Sequence, residues 1–120
     1  MKKIQPLKQI KKILTKLKSK NKKVVLCHGV FDLVHLGHIK YFNAAKKYGD
    51  LLIVSITVDK FVNKGMGRPY FNHFDRAEVL ASLSCVDFVV FSENKSAVNI
   101  IKNIKPDYYA KGLEYKNIEN

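Results

Sequence analysis

Two histidines three residues apart, His35 and His38, stand just beyond the point where an apolar run breaks at a glycine. The run led by Val24 and Val25, bounded by Lys23 and Gly29, reads as a buried-type strand. Beyond Gly29 the pattern enters a helix near Leu36. Strand, glycine turn and helix start is an arrangement in which α/β proteins hold phosphates. The helix N-terminus offers unpaired N–H groups and the positive end of its dipole. A spacing of three puts both imidazoles on one face of a helical turn. Gly37 between them removes a side chain where a ligand or another backbone comes close. Such donors would spread the charge that builds as a polyphosphate leaves. Taken alone, the pair reads as two surface histidines at a helix start. A second group is the run Lys64-Gly65-Met66-Gly67-Arg68-Pro69. Lys64 would act there as a mobile point charge and Arg68 as a bidentate phosphate partner, on a loop suited to a lid. The bland alternative is a basic surface turn.

The elements that must carry these residues follow from periodicity. Strands are expected over 22–28, 51–57, 86–91 and 108–111, and helices over 36–48, from 72 or 73 to 84, and 96–102, with a short helical turn over 58–63. The unbroken apolar segment LLIVSIT fits a strand covered on both faces. Alternating strands and helices predict an α/β, Rossmann-like parallel sheet with helices on both faces. Residues 6–20 predict an amphipathic helix before it, with Leu7, Ile10, Ile13, Leu14 and Leu17 on one stripe and lysines around the rest. Ile4 falls in the same spacing. The expected organisation is therefore an N-terminal helix and basic link over 1–21, then one domain over 22–120.

Composition narrows the class. The chain has 120 residues, 47% of them hydrophobic, and a formal net charge of +12, as expected for a globular domain rather than a disordered segment. No run of about eighteen apolar residues predicts a membrane span. The lysine-rich start has no signal-peptide pattern, so a cytoplasmic location is expected. Cys27 and Cys85 lie in apolar surroundings and read as inert thiols; no zinc-type spacing accompanies them. Much of the excess charge precedes Asp32, the first acidic residue. Three readings of the lysine-rich helix stand: packing on the domain, an anionic membrane surface, or nucleic acid. The missing Trp or Phe argues against the second, and the missing stacking aromatics against the third. Neither a nucleic-acid nor a membrane partner is expected.

The stretch Gly29-Val30-Phe31-Asp32-Leu33-Val34-His35-Leu36-Gly37-His38 resembles the GxFDxxHxGH motif of the cytidylyltransferase-like nucleotidyltransferases. Within that family the chain looks most like the ADP-transferring half of the heptose kinase/ADP-heptose synthase proteins. The resemblance implies transfer of a nucleoside monophosphate from a nucleoside triphosphate with Mg²⁺ onto a phosphorylated sugar, releasing pyrophosphate. It implies no protein-bound metal. It implies catalytic roles for His35, His38 and Lys64. Gly29, Val30, Phe31, Gly37, Arg68, Arg76, Lys111 and Gly112 would lie along the nucleotide, with the Phe31 ring chiefly in the core. Asp32 lies on the family's substrate side. It either orients the incoming phosphate compound or shapes the turn by binding backbone N–H groups. Arg76 either meets phosphate or pairs with Asp75 or Glu78. Lys111-Gly112 matches a lysine-glycine pair after the family's fourth strand, but Leu113 and Glu114 replace a glycine and an aspartate there. Cys27 and His28 stand where the family often has threonine and asparagine or tyrosine. Heptose 1-phosphate with ATP is the first expectation; glycerol-phosphate or ethanolamine-phosphate with CTP is the alternative. Family domains continue to a Ser/Thr-rich segment that closes over the nucleotide, and the chain stops before it. The resemblance thus predicts a C-terminally incomplete domain of a longer multidomain protein, with low activity on its own. It also leaves a homodimer and a non-catalytic nucleotide-binding module open.

Overall fold

The computed structural model describes residues 2–62, 65–94 and 96–111, and the backbone of 118–119. Its elements run α1 (Leu7–Ser19), β1 (Val24–Gly29), α2 (Leu36–Lys46), β2 (Leu51–Thr57), a 3-10 turn (Asp59–Phe61), α3 (His73–Ala81), β3 (Phe88–Ser92), α4 (Val98–Ile104), β4 (Tyr108–Ala110) and β5 (Ile118–Glu119). The sheet order is β3-β2-β1-β4-β5. The first four strands are parallel, as the alternation predicts, and β5 joins antiparallel to β4.

Aspartates set the register at the N-terminal edge. Asp50, Asp87 and Asp107 each precede a strand. Their carboxylates accept from Lys23 N, Leu52 N and Val24 N, each at 2.8 Å. Their own N–H groups donate back to Lys23 O, Leu52 O and Val24 O. Each parallel pair thus begins with a two-point clasp that a one-residue slip would break. Asp87 also pairs with Lys46 of α2, which ties the helix end to the same edge.

Both faces of the sheet are covered. Val25, Cys27, Leu52 and Val54 pack under Phe42 and Ala45 of α2 and Ala77 and Leu80 of α3. Val24, Leu26, Ile53 and Val90 pack under Ile10 and Leu14 of α1 and Ile100 and Ile104 of α4. Double coverage explains why the central strands are apolar without alternation. The lysine-rich helix therefore belongs to the core. Lys18 donates to Ile104 O at 3.3 Å and Lys105 O at 2.6 Å, closing the C-terminal end of α4.

Some boundaries differ from those expected. Ile4 is not on the helix: it bridges Val89 in parallel, with Val89 N donating to Lys3 O and Gln5 N to Val89 O. These bonds occupy part of the outer edge of β3. β3 starts at Phe88 because Asp87 is held in its clasp. α4 starts at Val98, whose N–H binds Ser96 Oγ at 3.3 Å. It ends at Lys105, left-handed at φ 51°, before Pro106.

A charge in the α1 stripe should unfold what a charge on its outer face does not. Leu14 is 3% exposed. Leu14→Asp should cost at least about 3 kcal/mol, a fall in Tm on the order of 10 °C. Lys12→Asp on the exposed side should change Tm by only a few degrees, measured by thermal circular dichroism.

Candidate active site

The site grows out of the turn after β1. Phe31 sits at φ 50°, an unusual conformation for a bulky side chain. It folds its ring back over Gly29, where a Cβ would stand 2.9 Å from the ring. The same ring meets Phe42 edge-on at 5.1 Å and His38 at 5.7 Å. The strained turn thus fixes a wall against which His38 rests.

His35 is the N-cap of α2. Its Nδ1 accepts from Gly37 N at 3.0 Å, and His38 Nδ1 accepts from His35 N at 3.2 Å. The two imidazoles form a reciprocal capping box. Each Nδ1 lone pair is aimed at a backbone N–H, so in the neutral rings the proton resides on Nε2. The ring centroids are 4.2 Å apart. The helix start therefore carries two imidazole N–H donors whose tautomer the backbone dictates. The close neighbour of Gly37 within the chain is the His35 ring: a Cβ there would lie 2.8 Å from His35 Cε1.

Asp32 reaches across to the glycine loop. Its side chain is 2% exposed. Oδ2 accepts from Arg68 Nε at 2.9 Å and Tyr70 N at 2.6 Å, and Oδ1 accepts from Phe71 N at 2.9 Å. Of the two expected roles, binding backbone N–H groups is the one formed, but to a distant loop rather than its own turn. Burial disfavours the charge; the two amides and the Arg68 guanidinium outweigh it and hold the carboxyl below its ordinary 3.8. Arg68 is further fixed by the Tyr70 ring, 4.6 Å from its Cζ.

The expectation that Arg76 meets phosphate is corrected. The residue is 1% exposed. Nε donates to Phe71 O at 3.0 Å, Nη1 to Val30 O and Thr57 O at 2.8 Å each, and Nη2 to Asp59 Oδ1 at 2.6 Å. Its acidic partner is thus Asp59 rather than Asp75 or Glu78. The reason is desolvation: a buried guanidinium persists only with its donors satisfied, and three backbone carbonyls converge here to do that. The Val30 carbonyl is likewise taken up by Arg76.

His28, at the end of β1, bonds Ser55 Oγ through Nδ1 at 2.6 Å, and burial lowers its pKa from 6.5. Burial pushes the Cys27 thiol up to about 12 and raises Cys85 too, as expected of unreactive thiols. Lys111 follows β4 at the carboxyl edge and is exposed. Lys64 and Gly112 lie outside the described residues. Sequence reading missed the Asp32 latch and the Arg76 tie. The signal present was weak: two aromatic residues, Tyr70 and Phe71, between the loop and the next helix.

The latch has a sign in pH. With its folded pKa below the unfolded value, Asp32 contributes stability that is complete above pH 3.8 and disappears as pH falls through the folded pKa. Asp32→Asn should therefore lower Tm at pH 7 and flatten the acid limb of the Tm–pH profile below about pH 4. A wild-type-like acid limb in the variant would show that the latch contributes nothing. Arg76→Lys should lower Tm by on the order of 10 °C, because one ammonium cannot satisfy acceptors arranged for a planar fork.

Comparison with known proteins places this architecture. A family model described as cytidylyltransferase-like matches residues 26–119. The bifunctional protein HldE of Aliarcobacter butzleri (strain RM4018) is 43% identical over 115 residues, covering 94% of this chain and 24% of that protein. HldE of Helicobacter pylori (strain G27) is 44% identical over 119 residues, covering 98% of this chain and 25% of that protein. The chain spans about a quarter of the length of these curated relatives. The crystal structure of the lipopolysaccharide core biosynthesis protein from Thermoplasma volcanium GSS1 matches at a TM-score of 0.67 and 31% identity, covering 73% of this chain and 72% of that one. With its motif, parallel sheet and histidine-capped helix in agreement with that match, the chain belongs to the cytidylyltransferase-like family of nucleotidyltransferase-type domains.

Proposed function

We propose that this domain transfers a nucleoside monophosphate from a magnesium-bound nucleoside triphosphate to a sugar phosphate, with ATP and heptose 1-phosphate as the favoured pair. The carrying observation is the imidazole capping box, with both Nδ1 atoms turned to the backbone at the N-terminus of α2. Its Nε2–H groups and the helix dipole supply positive potential for a polyphosphate at the carboxyl edge of a parallel sheet. The acceptor's phosphate oxygen attacks the α-phosphorus in line. A new oxygen–phosphorus bond forms as the bond to the β-phosphate bridge breaks, and pyrophosphate leaves with its charge. No protein nucleophile is needed, so positioning and charge neutralisation carry the rate.

Magnesium enters with the nucleotide as part of the substrate, held by phosphate oxygens and water. Both oxygens of Asp32 already accept from the loop, which leaves that carboxylate engaged in holding Arg68, Tyr70 and Phe71. Arg68 and Lys64 are the candidate cations for the leaving phosphates.

His38→Ala should reduce kcat by about 10²-fold or more while Tm falls only by what the lost cap costs, about 1 kcal/mol. The assay measures pyrophosphate release with four nucleotides against heptose 1-phosphate, glycerol-phosphate and ethanolamine-phosphate. Near-wild-type turnover in the variant would remove the imidazoles from the chemistry. Turnover with CTP and an amino-alcohol phosphate alone would replace the sugar reading.

A further inference from the structure

A cleft of about 460 Å³ lies on the far side of β2 from the histidine turn, where β3 ends. It falls within the usual range for small-molecule sites, roughly 300–1,000 Å³. One wall is aromatic. His73 and Phe74 open α3 and meet Phe91 of β3 at 5.2 Å and 5.7 Å, both edge-on. Phe74 is 65% exposed, a large ring left uncovered at the mouth. The other wall is polar and neutral or acidic: Glu93, Asn94 and Asn99. His73 Nδ1 accepts from Asp59 N at 3.0 Å and lies 3.4 Å from Asp59 Oδ2, so this face of the ring is turned to Asp59. No lysine or arginine is among the described residues that line the cleft, in a chain of net charge +12.

That lining selects a chemistry. A carboxylate and two amides hydrogen-bond vicinal hydroxyls, and aromatic faces pack against the C–H face of a sugar ring. The carboxylate of Glu93 repels a phosphate. The sheet also divides the space. Strand order reverses between β1 and β4, and ligands of open α/β sheets take that crevice, so a nucleotide there leaves the β2–β3 end vacant for a second substrate. β3 and β1 are two strand spacings apart, about 10 Å, so the cleft and the turn after β1 open at the same carboxyl edge of the sheet.

We infer that this cleft is the subsite for the uncharged, hydroxyl-rich body of the acceptor, with Phe74 as stacking platform and Glu93, Asn94 and Asn99 as hydroxyl readers. The inference rests on the sugar-phosphate reading of the function and adds where the sugar lies and which residues choose it. Glu93 gives the ligand polarity: sugar inward, phosphate outward to the imidazoles.

The experiment is an NMR titration of the 120-residue chain with mannose 1-phosphate, methyl mannoside, inorganic phosphate and magnesium ATP. Mannose 1-phosphate should move the side-chain amides of Asn94 and Asn99 and the Phe74 ring; inorganic phosphate and ATP should not. Phe74→Ala and Asn99→Ala replace exposed side chains and should keep wild-type Tm. They should weaken mannose 1-phosphate binding by about tenfold and leave the ATP Kd within about twofold. If the sugar phosphate binds but the cleft resonances stay still, or both variants bind it normally, the subsite assignment is overturned and the function reading stands. If ATP moves the cleft resonances, the site belongs to the nucleoside. If no sugar phosphate binds while ethanolamine-phosphate is turned over, the function reading falls and takes this inference with it.

Discussion

The peptide of Phe71 is gripped on both sides, and the active-site end of the molecule depends on it. Its N–H goes to the buried carboxylate of Asp32 and its carbonyl to the buried guanidinium of Arg76. A buried charge of either sign is costly unless its hydrogen-bonding capacity is met. Arg76 meets that demand with the ends of β1 and β2, the 3-10 turn and the loop; Asp32 meets it with three donors from the loop. The glycine-rich segment is therefore anchored at its C-terminal end while Gly65 and Gly67 keep positive φ further out. The loop is thus fixed where it carries Arg68 and takes, at its two glycines, a conformation that side chains rarely adopt.

The two ends of the sheet are built by opposite rules. At the N-terminal edge, each carboxylate satisfies one strand N–H, across 27, 83 and 35 residues, and each clasp links just two strands that are neighbours. At the C-terminal edge, Arg76 gathers carbonyls from separate loops, 46 residues away at Val30 and 19 at Thr57. The first kind of contact sets register and gives a rigid base. The second sets the relative positions of loops, which is what a site made from several strand ends requires.

This difference explains what could be read in the chain. The histidine pair, the alternation of elements and the stripe of α1 depend on residues close in sequence, and their spacing carries them. The aspartate before each of three strands was visible too, as Asp50-Leu51, Asp87-Phe88 and Asp107-Tyr108, but a lone aspartate at a strand start carries no distinctive signal. Arg76 was legible as a cation and not as a buried one, because nothing local reveals that three carbonyls converge on it. Gly37 was read as space for a ligand or another backbone, and the neighbour that fills it is the His35 ring, two residues away. The short edge contacts, β5 and the Ile4 bridge, have too few residues for any period to show.

Electrostatics work here on two length scales. The outer face of α1 exposes Lys8, Lys11, Lys12 and Lys16, and no acidic residue precedes Asp32, so the chain presents a broad positive field. A field of that kind raises the encounter rate of any polyphosphate or sugar phosphate and does not discriminate among them. Discrimination needs contacts within hydrogen-bond reach. The capping box holds two imidazoles of fixed tautomer at the start of α2, and the proposed sugar cleft places a carboxylate and amides where a phosphate would be repelled. Long-range attraction would thus bring both substrates to the same edge of the sheet, and the short-range division between imidazole and carboxylate would decide which part of each faces inward.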